Sequence, residues 1–71
     1  MRVITVKVES SAHIEVFDLK QECKKYGDIS TSDTNRYIFY IHCTAQRKLA
    51  GLLSLLNVDL ESNEVVRYTV Y

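Results

Sequence analysis

A chain of 71 residues has room for one hydrophobic core and no second domain, and it buries only about 60% of its unfolded surface. Hydrophobic residues make up 46% and charged residues 25%, a globular balance that argues against disorder anywhere in residues 1–71. Nine basic and nine acidic side chains cancel to zero formal charge, so no global field draws the chain toward nucleic acid or an anionic membrane.

Cys23 and Cys43 are too few for a secreted disulfide framework and read as reduced, buried thiols. The first residues alternate and carry Lys7 too early for a signal-peptide core. No apolar run approaches the roughly 20 residues of a membrane span, and the cytoplasm is the expected compartment.

Val3 to Val8 alternates between two faces, which predicts a first strand with Ile4, Val6 and Val8 inward and Val3, Thr5 and Lys7 outward. Ser10 or Ser11 then offers an N-cap for a helix of about four turns, whose apolar stripe is Ala12, Val16, Leu19, Cys23 and Tyr26. Lys24 and Lys25 suit the negative end of its dipole, and Gly27 is expected to end it in the left-handed conformation. Asp28 to Ser32 reads as a short polar strand. Ser32-Asp33-Thr34-Asn35 is a turn whose side chains bond their own backbone.

Arg36 to Cys43 is the densest β segment and is expected at the sheet centre, with Tyr37, Phe39, Ile41 and Cys43 inward and Ile38, Tyr40 and His42 outward. Thr44 can cap a second helix with the stripe Ala45, Leu49, Leu52, Leu53 and Leu56, ending at Asn57. Gly51 inside that helix costs about 1 kcal/mol relative to Ala, which implies close packing against a neighbour. A short extended piece, an acidic turn at Glu61-Ser62-Asn63-Glu64 and a last strand from Val65 to Tyr71 complete the chain. In that strand Val66, Tyr68 and Val70 are predicted inward, and Val65, Arg67, Thr69 and Tyr71 outward.

Two strand-helix-strand arcs of similar length predict an α+β fold of the ferredoxin-like βαββαβ type, a four-stranded antiparallel sheet with two helices on one face. The other face is then open. It would carry Val3, Thr5, Lys7, Ile38, Tyr40, His42, Arg67, Thr69 and Tyr71.

The chemistry-bearing residues are sparse. His42 and Cys43 are adjacent in a strand and point to opposite faces, and no Cys-x-x-Cys or His-x-x-x-His pair seeds a metal site, so no metal is expected. Neither histidine sits in a nucleophile motif, and Cys43 faces the core, where a thiol is inert. The carboxylate pairs Glu61/Glu64 and Asp28/Asp33 flank solvated turns without the shelter a general acid needs. Gly27 and Gly51 lie too far apart for a phosphate loop. The expectation is a protein that is not an enzyme and takes no cofactor.

The segment Leu19-Lys20-Gln21-Glu22-Cys23-Lys24-Lys25-Tyr26-Gly27-Asp28-Ile29 resembles the first helix and strand entry of an RNA recognition motif. Arg36 to Cys43, followed by Leu49 to Asn57, is similar to that family's third strand and second helix. The resemblance implies the same topology and, through Arg36, Tyr40 and Ile41 of the strand-three motif, an RNA-binding sheet face. The family's glycine position is Tyr37 here, its first stacking aromatic is Ile38, and the strand-one position falls at Ile4 or Thr5, so one stacking ring remains. A weaker likeness, through Ile29-Ser30-Thr31-Ser32, is to the amino-acid-sensing ACT domains, which implies small-molecule regulation.

Of these readings the leading one is a small interaction module that docks a protein partner or forms a homodimer, as a regulator or inhibitor of a larger machine. Its expected partner-binding residues are Lys7, Ile38, Tyr40, His42, Arg67, Thr69 and Tyr71. RNA binding on the same face is the alternative and an ACT-like sensor the third. A final strand with few charges, lying on a sheet edge, is the expected route to self-association.

Overall fold

Residues 2–71 are described in a computed structural model. The elements follow in the order β1 (Ile4–Ser10), α1 (Val16–Cys23), β2 (Asp28–Thr31), β3 (Ile38–Cys43), α2 (Gln46–Glu61) and β4 (Val65–Val70). One four-stranded sheet has the order β2-β3-β1-β4, and every neighbouring pair is antiparallel. The class is therefore α+β. β1 and β3, whose inward side chains are the most deeply buried of the sheet, take the centre with both flanks paired, while β4, though rich in β-branched residues, lies at an edge.

Alternation builds the core. Val6 and Val8 of β1 and Phe39, Ile41 and Cys43 of β3 share one sheet face and join Val16, Leu19 and Cys23 of α1 and Leu52 and Leu56 of α2 in a single apolar cluster. Phe39, Ile41, Leu52 and Leu56 are wholly covered, and burial of each such side chain contributes about 1.5–3 kcal/mol. Both cysteines are free and buried. Burial pushes the Cys23 thiol up to about 12, with smaller contributions from Asp59, Glu22 and Cys43.

The first helix is shorter than its apolar spacing predicts. It starts at Val16 and has 8 residues, with Glu15 in the N-cap position and no side-chain cap. Neither Ser10 nor Ser11 caps it. The sheet holds both: the Ser10 amide donates to the Tyr37 carbonyl at 2.8 Å and the Ser11 amide to the Glu64 carbonyl at 2.9 Å, and the Ser11 hydroxyl is bonded to the His13 ring. Ladder bonds formed by β1 thus outcompete the local cap.

Gly27 does not adopt positive φ. It is needed for a different reason, because a Cβ there would collide with the backbone carbonyl of His42 in the neighbouring strand. Gly51 packs as expected, since a Cβ would lie 2.8 Å from Cε1 of Tyr26.

The second helix is longer than predicted, running 16 residues to Glu61. Asn57 does not end it. The stop is Asn63, at φ 64°, with the Asn63 amide donating to the Leu60 carbonyl and the Glu64 amide to the Asp59 carbonyl. Asparagine tolerates this left-handed position, and the helix carbonyls are satisfied. The extension places Asp59 in the buried stripe, 6% exposed. Leu53, predicted in the stripe, is only half-buried, and Leu55, also half-buried, is the one that packs against the core cluster.

Strict alternation fails once in β4. The register with β1 shifts between Glu9 and Ser10, so Val66 is an extra residue. Val65, opposite Ser10, turns inward and is buried, while Val66 is exposed. Both were predicted on the opposite sides. A bulge of this kind bends an edge strand and interrupts its ladder.

Candidate interaction site on the open sheet face

The side chains that alternate with the core residues lie on the sheet face without helices, and the register brings them into rows. Tyr40 is flanked by Ser30 of β2 and Lys7 of β1, and Lys7 by Thr69 of β4. His42 stands between Asp28 and Thr5 in the next row, which Tyr71 closes by donating its amide to the Thr5 carbonyl at 2.8 Å. Ile38 opposes Glu9, and Glu9 opposes Arg67. The seven expected binding residues, Lys7, Ile38, Tyr40, His42, Arg67, Thr69 and Tyr71, thus fall on one surface across three strands. Val3 is exposed but precedes β1.

His42 is bonded at both ring nitrogens. The Thr5 hydroxyl lies 3.1 Å from its Nδ1 and the Ser30 hydroxyl 2.8 Å from its Nε2. In the neutral ring the nitrogen that carries the proton donates to its hydroxyl, and the other nitrogen accepts from the hydroxyl beside it. Ser30, Asp28 and Glu9 are site residues that sequence reasoning left out. Continued alternation was the available signal for Glu9, since β1 runs two residues beyond Val8, and period two across Asp28-Ile29-Ser30 was the signal for the others.

The formal charges on this face cancel, with Lys7 and Arg67 against Glu9 and Asp28. Arg67 Nε is 3.5 Å from Glu9 Oε1 in a pair whose side chains are 71% and 34% exposed, so the pair orients the guanidinium more than it stabilises the fold. The two rings, Tyr40 and Tyr71, sit two strands and one row apart, about 12 Å by sheet spacing. They form no joint stacking platform. Among the described residues no cluster of three or more His, Cys, Asp and Glu side chains is arranged to hold a metal ion, and no helix is long and apolar enough to cross a membrane. A shallow recess of about 340 Å3 lies off this face, where Cys43, Thr44 and Leu49 meet Ile4.

No protein-family model, curated protein or solved structure matches the chain.

Proposed function

We propose that the chain is a non-enzymatic interaction module of the ferredoxin-like type, similar in topology to an RNA recognition motif, that docks a protein partner on its open sheet face. A role as a regulator or inhibitor of a larger assembly fits such a module. The observation that carries this reading is the make-up of that face: a half-buried tyrosine, Tyr40, surrounded by short hydroxyls, an isoleucine and charges of both signs. Protein interfaces combine an aromatic anchor with a polar rim in this way. Single-stranded RNA instead asks for several stacking rings in a positive groove.

The RNA reading retains one favourable feature, since Lys7 lies directly beside Tyr40. A fluorescence titration with mixed RNA oligomers at low and physiological salt separates the two, run beside affinity capture with wild type and Tyr40→Ala. The expected result is weak RNA binding independent of the ring, and a captured protein lost in Tyr40→Ala. Tight, salt-sensitive RNA binding that falls by about 1–3 kcal/mol in Tyr40→Ala, the worth of one stacked base, would overturn the protein reading.

A further inference from the structure

The two edges of the sheet are unlike. β2 is four residues long and polar, Asp28-Ile29-Ser30-Thr31. β4 is longer, carries Arg67 as its one charge, and leaves Val70 and Tyr71 exposed. Antiparallel ladders alternate the direction of backbone groups. Because the Tyr71 amide donates inward to Thr5 and Thr69 and Arg67 oppose Lys7 and Glu9, the backbones of residues 67, 69 and 71 face β1. Those of Tyr68 and Val70 therefore face outward, with their N–H and C=O groups free to accept another strand.

We propose that this edge pairs with β4 of a second copy of the chain, antiparallel, about a two-fold axis at Thr69. That register is the one in which both outward-facing residues bond reciprocally, Tyr68 with Val70 of the other copy and Val70 with Tyr68. It opposes Thr69 to Thr69 and Arg67 to Tyr71. Each new cross-strand pair is a favourable type: aromatic against β-branched, Thr against Thr, cation against ring. No like charges meet. The bulge at Val66 limits pairing to the straight part of the strand that this register uses. Pairing with β2 of another copy would instead be heterologous and open-ended, with no closed assembly.

The two-fold axis runs perpendicular to the sheet, so the dimer has eight strands, both helical layers on one side and both open faces on the other. Two Tyr40 rings would then stand on one continuous surface five strand spacings apart, about 24 Å. This last consequence rests on the open face being a docking surface. The pairing itself does not, because it uses different atoms.

Sedimentation equilibrium on the full chain, with amide exchange by NMR, tests the pairing. Wild type should show twice the 8.2 kDa chain mass at micromolar concentration and above, with the Tyr68 and Val70 amides gaining protection as concentration rises. Thr69→Glu sets a carboxylate beside Lys7 in the monomer but opposes two carboxylates across the axis. It should stay folded by circular dichroism and weaken association by about a hundredfold or more. Tyr71→Arg, which faces Arg67 of the other copy, should also weaken association, and Tyr71→Glu should preserve or tighten it. Tyr40→Ala should leave the dimer intact whatever it does to partner capture. A wild-type monomer at millimolar concentration, or Tyr71→Arg and Tyr71→Glu acting alike, would overturn the pairing.

Discussion

Asp59 is the residue whose surroundings differ most from the usual place of its type. Helical period puts it at the centre of the α2 stripe, and its Oδ2 has no hydrogen-bond partner among the described residues. Burial raises its pKa, with Glu64 and Glu22 adding repulsion. A carboxyl whose folded pKa lies above its unfolded value binds the proton more tightly when folded, so stability falls as pH rises from about 4 through the raised value. Asp59→Asn should remove that slope and stabilise the domain at pH 7 by about 1 kcal/mol, the scale of one unsatisfied buried group. Urea midpoints at several pH values between 4 and 8 check it, and an unchanged slope in the variant would show that Asp59 is not its source. No local signal points to this residue, because a helix ending at Asn57 leaves position 59 outside the stripe, and α2 in fact runs on to Glu61.

At the level of the element, α2 shows how a helical stripe is decided by the neighbour it meets. Spacing alone offered Leu53 and Leu56 as equal members. The Tyr68 hydroxyl donates to Asn57 Oδ1 at 2.8 Å, which fixes the side of α2 that stands over β4. Leu53, one turn before Asn57, shares that side and is left half-buried near the edge. Leu56 faces the sheet centre and is fully covered. Leu56→Ala should therefore cost about 2–5 kcal/mol, enough to unfold so small a domain, and Leu53→Ala less than about 1 kcal/mol. Chemical denaturation of the two variants distinguishes them; equal losses would mean that α2 is rotated from this orientation.

For the molecule as a whole, the single apolar cluster that joins both helices to β1 and β3 implies cooperative opening, and the two buried thiols can report it. Cys23 is fully covered and its thiolate is strongly disfavoured; burial also raises the Cys43 thiol. At pH 8 a thiol reagent should label both only through global unfolding, at one common rate. Because the Cys23 thiol is raised from about 9 to about 12, its ionisation costs stability only as pH climbs across that interval. A variant destabilised without unfolding should label faster by tenfold for each 1.4 kcal/mol lost, within about a factor of two. Rapid labelling of Cys43 alone would reveal a separate local opening at the end of β3.

The number, kind and order of the elements are legible in the residues alone, because alternation in residues 3–8 and 36–43 and the leucine spacing of residues 49–56 are local signals that burial then satisfies. So are the residues of β1 and β3 that share the open face, since period two leaves no freedom once one face is apolar. The turn at Ser32 was legible too: its hydroxyl accepts from the Thr34 and Asn35 amides, each at 3.3 Å. The ends and irregularities of the elements come instead from contacts between distant segments. Ser10 and Ser11 join the sheet because β3 and the chain before β4 offer them partners, α2 passes Asn57 until Asn63 turns left-handed, and Gly27 is fixed by the His42 carbonyl. The bulge at Val66 and the row Asp28-His42-Thr5-Tyr71 likewise depend on register, a relation between distant segments that no local pattern contains.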